Sequence, residues 1–310
     1  MKESRKTDSP ILTRIEQLPA RHIITKTKSN LWFGMDYNMN IYRGCCHGCI
    51  YCDSRSSCYQ ISDFDRVRIK ESALLVIRDD LRRKVRTGVV GTGAMSDPYN
   101  PLEQELLLTR HALELIDAFG FGIGIATKST LLKRDMDILE NIREHSPVLC
   151  KVTITTPHDS LSKKLEPGAP PSSQRMELIA SLSSRKLFAG ILLMPVLPFL
   201  EDKEEDILRL VAMAHEAGAR FIYPVFGMTL RDNQKEWYLD RLEELFPGEN
   251  FRVRYLKRYG NSYQCTCPNA RKLWDVFSKE CEKRHILYRM EDIIPAYKRG
   301  YEYTQLSLFD

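Results

Sequence analysis

Short apolar or β-branched runs alternate along this chain with longer stretches in which apolar residues recur every three or four positions. Runs of the first kind predict strands over 88–95, 122–129, 148–155, 188–196 and 221–226, with a short strand over 39–42 ahead of them. Stretches of the second kind predict helices over 70–85, 104–119, 134–145, 172–184, 204–217 and 233–245. In the 204–217 stretch, Ile207, Leu210, Val211 and Ala214 fall on one stripe, and Gly218 supplies the stop. Six strands each followed by a helix predict an α/β fold, a partial (β/α)6 parallel barrel, because right-handed crossovers wind such units in one direction. A doubly wound open sheet has the same local pattern.

The rhythm changes after residue 246, where Arg, Lys, Tyr and Cys become frequent and one further helix is predicted over 271–284. The expected organisation is an N-terminal segment (1–37), the barrel (38–246), a basic, aromatic-rich C-terminal region (247–300) and a tail (301–310). Hydrophobic residues make up 43% of the chain, enough for a sizeable core. The longest apolar run, 188–200, is broken by Pro195 and Pro198 and falls short of the ~20 residues of a membrane span. With a polar, charged start and no secretory signal pattern, the expected location is the cytoplasm. There, nine cysteines cannot all be disulfides, so metal ligation or catalysis is the better reading.

Residues 40–53 read NIYRGCCHGCIYCD, and Cys45, Cys49 and Cys52 form a C-x3-C-x2-C loop with an aromatic, Tyr51, before the last thiol. Gly44 and Gly48 allow the tight turns that bring three thiolates to three corners of a cubane, leaving one iron open. The competing reading is a structural zinc site using Cys46, His47 or Cys58. Zinc loops favour paired C-x2-C elements with a second pair downstream, a layout this loop lacks.

The spacing resembles the signature of the radical S-adenosylmethionine (SAM) superfamily. That resemblance implies a 4Fe–4S cluster on Cys45, Cys49 and Cys52, SAM chelating the open iron, and a 5′-deoxyadenosyl radical that abstracts hydrogen from substrate. The flanks, YRGCCHGCIYC, are similar to the spore photoproduct lyase branch, as are GAMSDPYNPLE at 93–103 and LEPG at 165–168. Carried over, Ser96 and Asp97 are expected beside the methionyl end of SAM, Lys128 at its carboxylate, Thr153 at the ribose and Tyr51 near the adenine. An electron donor such as flavodoxin or ferredoxin is implied too. The departures are specific: the branch's hydrogen-donating cysteine is replaced by Ala94 or Met95, and the tyrosine after the third ligand by Asp53. Repair of spore photoproduct by that route is therefore not expected.

Residues 251–300 carry 12 Lys and Arg against 5 Asp and Glu, interleaved with Phe251, Tyr255, Tyr259, Tyr263, Trp274, Phe277, Tyr288 and Tyr297. Cations for phosphates and aromatic faces for bases suit nucleic acid, DNA before RNA; the alternative is that these rings are core. Cys265, Cys267 and Cys281 are read as buried small hydrophobes ahead of a second cluster or hydrogen donor. The chain ends QLSLFD, and Gln305, Leu306, Leu308 and Phe309 resemble the pentapeptide by which bacterial replication and repair proteins dock on the DNA sliding clamp. The function expected is radical SAM chemistry on nucleic acid, in DNA repair or modification. Its alternatives are a radical enzyme acting on RNA, a peptide or a small molecule, and a non-catalytic iron–sulfur nucleic-acid-binding protein.

Overall fold

The structure, a computed structural model, describes residues 15–301. Its centre is a seven-stranded sheet in the spatial order Phe221–Pro224, Ala189–Leu193, Val148–Thr153, Gly122–Thr127, Val89–Thr92, Tyr37–Met39 and Ile24–Lys26. The first six run parallel and the last pairs antiparallel. The strands follow one another in the sheet as they do in sequence, so the six parallel strands form the partial barrel expected, and the sheet does not close. The strand predicted over 39–42 is displaced: Tyr37–Met39 joins this sheet, whereas Tyr42–Arg43 turns away to pair with Arg68–Lys70.

Helices cover one face of the sheet, and their stripes explain why. Ala112, Leu113 and Ile116 of Leu108–Ala118 and Ile207, Leu210, Val211 and Ala214 of Glu204–Glu216 are buried against Ile125, Val152 and Ile191. The helix predicted over 104–119 is broken at Leu107, between Glu103–Leu106 and Leu108–Ala118. Leu107 breaks the helix by taking a left-handed φ of +54°, and the Thr109 N–H that the break leaves free donates to the buried Glu103 carboxylate at 2.8 Å. The helix predicted over 134–145 begins as a 3-10 turn, Thr130–Asp135, before Met136–Arg143.

The other face of the sheet is closed by Phe33 and Met35 from one end of the chain and by Ile293 and Tyr297 from the other, packed on Val89, Leu149, Leu192 and Phe221. Of two short helices not predicted from the sequence, Met290–Lys298 contributes to this packing, whereas Phe251–Tyr259 packs in the separate core around the cysteine loop, with Ile50, Tyr51 and Tyr238. Of the eight aromatics in 251–300, Phe251, Tyr255, Phe277, Tyr288 and Tyr297 are buried. The row of stacking faces expected there is thus mainly core. Cys265, on the strand Gln264–Thr266, and Cys267, just past its end, lie in two different cores, and Cys281 joins the core of Cys267. No helix among the described residues is long and apolar enough to cross a membrane.

Candidate active site

The cysteine loop is fixed from two sides. Gly44, at φ +85°, turns where a Cβ would lie 2.4 Å from the Arg66 carbonyl, and the next N–H, of Cys45, donates to Phe64 O at 2.8 Å. From the opposite side comes the turn at 165–168. Ile50 N–H donates to Leu165 O at 3.0 Å and Gly168 N–H to His47 O at 2.9 Å. A Cβ on Gly168 would stand 2.5 Å from the Cys46 carbonyl, so the close approach of these two segments requires the glycine.

Between the loop and the C-terminal ends of the parallel strands lies a cavity of ≈ 400 Å³. Cys45, Cys49 and Cys52 line it together with Ser96, Lys128 and Thr153. Asp97 and His47 line it as well, while Tyr51 borders an adjoining cavity that shares Cys52 and Lys128. Cys46 lies outside both, and Cys58 is exposed elsewhere. All three loop thiols are free, and among the described residues no three His, Cys, Asp or Glu side chains are grouped as ligands of a single metal ion. The Ser96 hydroxyl is buried on the cavity wall without a hydrogen-bond partner among the described residues. An orphaned donor beside three thiols fits a polar ligand next to a cluster.

Electrostatics divide the site into fixed parts. Asp97 is fully engaged within the protein: its carboxylate accepts from Thr127 Oγ1 (2.6 Å), Tyr99 N–H (2.9 Å) and Lys128 N–H (2.8 Å), and His47 Nδ1 stands 3.4 Å away. It thereby sets the strand ends rather than offering a free carboxylate. Burial alone would push the Cys45 thiol up, but the hydrogen bond and charge of His47 outweigh it and hold it below its usual value. Burial pushes the Cys49 and Cys52 thiols up. Burial also works against the Lys128 charge, yet Cys49 and Glu166 raise its pKa and keep it protonated.

Beneath these groups runs a network that sequence reasoning did not assemble. Glu166, wholly buried, accepts from the Tyr51 hydroxyl and pairs with Arg175, and Lys128 Nζ lies 3.9 Å away. Arg175 also donates to Thr153 O at 2.7 Å. Burial opposes the Glu166 charge, but Arg175 and Lys128 hold its carboxyl below the usual range. Glu166 stands in the LEPG segment and was legible as a motif. Arg175, at the start of a helix, carries no local signal. Asp53, in place of the lyase tyrosine, is tied to Tyr59, Thr229 and Arg231.

Residues 39–211 match the profile of the radical SAM superfamily. The chain belongs to that superfamily. This radical SAM enzyme accordingly uses a 4Fe–4S cluster and SAM. An uncharacterised protein of Mycobacterium tuberculosis is 32% identical over 231 residues, 72% of this chain and 68% of its own length. One from Methanocaldococcus jannaschii is 30% identical over 174 residues, 55% and 64% of the respective chains. In fold, the enzyme is similar to a spore photoproduct lyase complexed with dinucleoside spore photoproduct, with TM-score 0.62 over 88% of this chain and 80% of that one, at 13% identity.

Proposed function

We propose that this radical SAM enzyme acts on nucleic acid, DNA before RNA, in repair or modification inside the cytoplasm. The observation that carries the reading is one cavity lined by three free thiols, the unpartnered Ser96 hydroxyl and Lys128. In it Cys45, Cys49 and Cys52 hold the cluster, Ser96 and Lys128 receive the methionyl end of SAM, Thr153 meets the ribose and Tyr51 packs toward the adenine. Asp97 serves by holding the strand ends in place. When bound, the pair of cofactors supplies reductive cleavage of a sulfonium and a hydrogen-abstracting radical.

DNA as substrate is supported by the lyase-like architecture, by the basic balance of 251–300 and by Trp32, 45% exposed where it lines the cavity, an aromatic face suited to a base. The clamp-like residues Gln305, Leu306, Leu308 and Phe309 lie outside the described residues; docking on a sliding clamp would place the enzyme at replicating or repaired DNA. Flavodoxin or ferredoxin is the proposed electron donor. Ala94 and Met95 line the cavity where the lyases place their hydrogen donor, so return of hydrogen to product by that thiol is not part of this chemistry. A second reading, a small-molecule or peptide substrate, is favoured by the burial of five of the eight aromatics in the basic region.

Anaerobically reconstituted protein, given SAM, dithionite and DNA, should release 5′-deoxyadenosine and alter the DNA by mass spectrometry, and Cys49→Ala should abolish both. Cleavage that persists in Cys49→Ala refutes the cluster assignment. Cleavage with unaltered DNA, and clamp pull-down unaffected by deleting 305–310, refutes the DNA reading.

A further inference from the structure

The strand Val148–Thr153 is buried along its whole length, and residues of one parity, Leu149, Lys151 and Thr153, face the cavity side, while Cys150 and Val152 face the helices. A lysine in the middle of such a run is the one break in an otherwise apolar or small-polar pattern. Lys151 is 3% exposed and lines the same cavity as the three thiols, two residues and roughly 7 Å before Thr153 along the strand. Space for its amine is kept by Gly124, where a Cβ would stand 3.3 Å from Lys151 Nζ and 2.4 Å from Met35 Sδ.

The amine is left without an anion. Among the described residues the Lys151 side chain has no ion-pair or hydrogen-bond partner; its neighbour is the Phe33 ring, 5.1 Å from Nζ to centroid. The carboxylates of the site are committed elsewhere, Asp97 to the strand ends and Glu166 to Arg175 and Tyr51. Burial pushes the Lys151 pKa down to about 7, and of the surrounding titratable groups only the buried Cys150 thiol acts on it appreciably. This contrasts with Lys128 across the cavity, whose thiol and carboxylate neighbours keep it charged. An unpaired buried ammonium costs folding energy, so its retention at the floor of a reaction cavity indicates a ligand that completes it.

We propose that Lys151 is the substrate anchor, receiving an anionic group, phosphate or carboxylate, of the molecule attacked in this cavity. The Phe33 face and Met35 shape the apolar wall beside that group. The assignment rests on the reading of this cavity as the reaction site. On binding, the anion replaces lost hydration with a charge-assisted hydrogen bond, and the amine takes up a proton.

The test is calorimetry on the full chain with cluster and SAM bound. Inorganic phosphate and acetate are titrated separately at about pH 8 in two buffers of different ionisation enthalpy, which reports proton uptake. One anion should bind with proton uptake: phosphate for a phosphorylated substrate, acetate for a carboxylate. In Lys151→Met the affinity should fall roughly tenfold or more and the uptake vanish, with a Tm no lower than wild type, as expected when an unpaired charge is removed from the interior. Lys151→Gln serves if the Met variant does not fold. Absence of binding by either anion, or binding with proton uptake that survives in the variants, overturns the assignment. Release of 5′-deoxyadenosine by the wild type is read separately; its failure would refute the cofactor placement, not the anion site.

Discussion

Glu201 buries a carboxyl group that accepts from Thr155 Oγ1 at 2.8 Å and from Leu197 N–H at 3.0 Å, with 2% of its surface exposed. Burial outweighs those two hydrogen bonds and raises its pKa to about 8, with Glu166 adding repulsion. A carboxyl whose folded pKa lies above its unfolded value of 4.5 favours the fold in its protonated form. That contribution is complete below the unfolded pKa and is lost as pH rises through about 8. Glu201→Gln keeps an oxygen for Leu197 N–H and an amide for the Thr155 hydroxyl while removing the titration. Urea midpoints measured from acid to alkaline pH should therefore diverge, the variant gaining on the wild type by at most on the order of 5 kcal/mol at the alkaline end. Parallel curves would show that Glu201 is ionised at neutral pH despite its burial.

The turn at 165–168 works as a clamp on the cysteine loop, and its close approach is set by one missing side chain. Gly168→Ala would put a Cβ 2.5 Å from Cys46 O and 2.9 Å from His47 Cα, both backbone atoms that cannot rotate away. The strain, about 1–3 kcal/mol, falls on the thiol-bearing loop rather than on the sheet. Iron and sulfide content after anaerobic reconstitution should drop while the far-ultraviolet circular dichroism stays that of the wild type; full loading of the variant would show that the loop is not held by this turn. At this scale the sequence was readable where one period repeats over several turns. The helices Glu204–Glu216 and Ala270–Lys283 lie within one residue of the stripes at 204–217 and 271–284. Phe251–Tyr259 and Asp159–Leu165 are too short to show a period, and Met290–Lys298 contains Pro295. The thiols, Ser96, Lys128 and Thr153 were legible because strand ends and a spaced motif place them together. Arg175 and Gln234, which donates to Tyr51 O at 3.2 Å, reach the site only through packing of distant segments. Lys151 had a local signal, a charge inside a buried parallel strand, where near-continuous apolar residues are the norm.

Across the whole molecule, the open partial barrel is completed by the two ends of the described chain. The edge strand Phe221–Pro224 is covered by Leu287, whose carbonyl accepts the Ile222 N–H at 2.8 Å. Tyr297, buried against Phe188, donates its hydroxyl to Phe33 O at 2.7 Å, joining the C-terminal helix to the segment that lies over Lys151. Residues after 247 also stand in all three cores, Phe277 and Tyr297 in the two that include strands of the sheet and Tyr255 in the one built around the cysteine loop. With no core of its own, the C-terminal region should unfold together with the sheet in a single transition. Two substitutions separate the parts played by Tyr297. Tyr297→Phe removes the hydroxyl that donates to Phe33 O, about 1 kcal/mol, whereas Tyr297→Ala empties an aromatic site in the core and should cost about 3–5 kcal/mol. Both should shift one cooperative denaturation curve, followed by circular dichroism and by tryptophan fluorescence, without splitting it. If Tyr297→Ala instead gives an early phase seen by Trp274 alone, the C-terminal region is a unit docked on the sheet, and the floor of the cavity is held by Phe33 and Met35 without help from the far end of the chain.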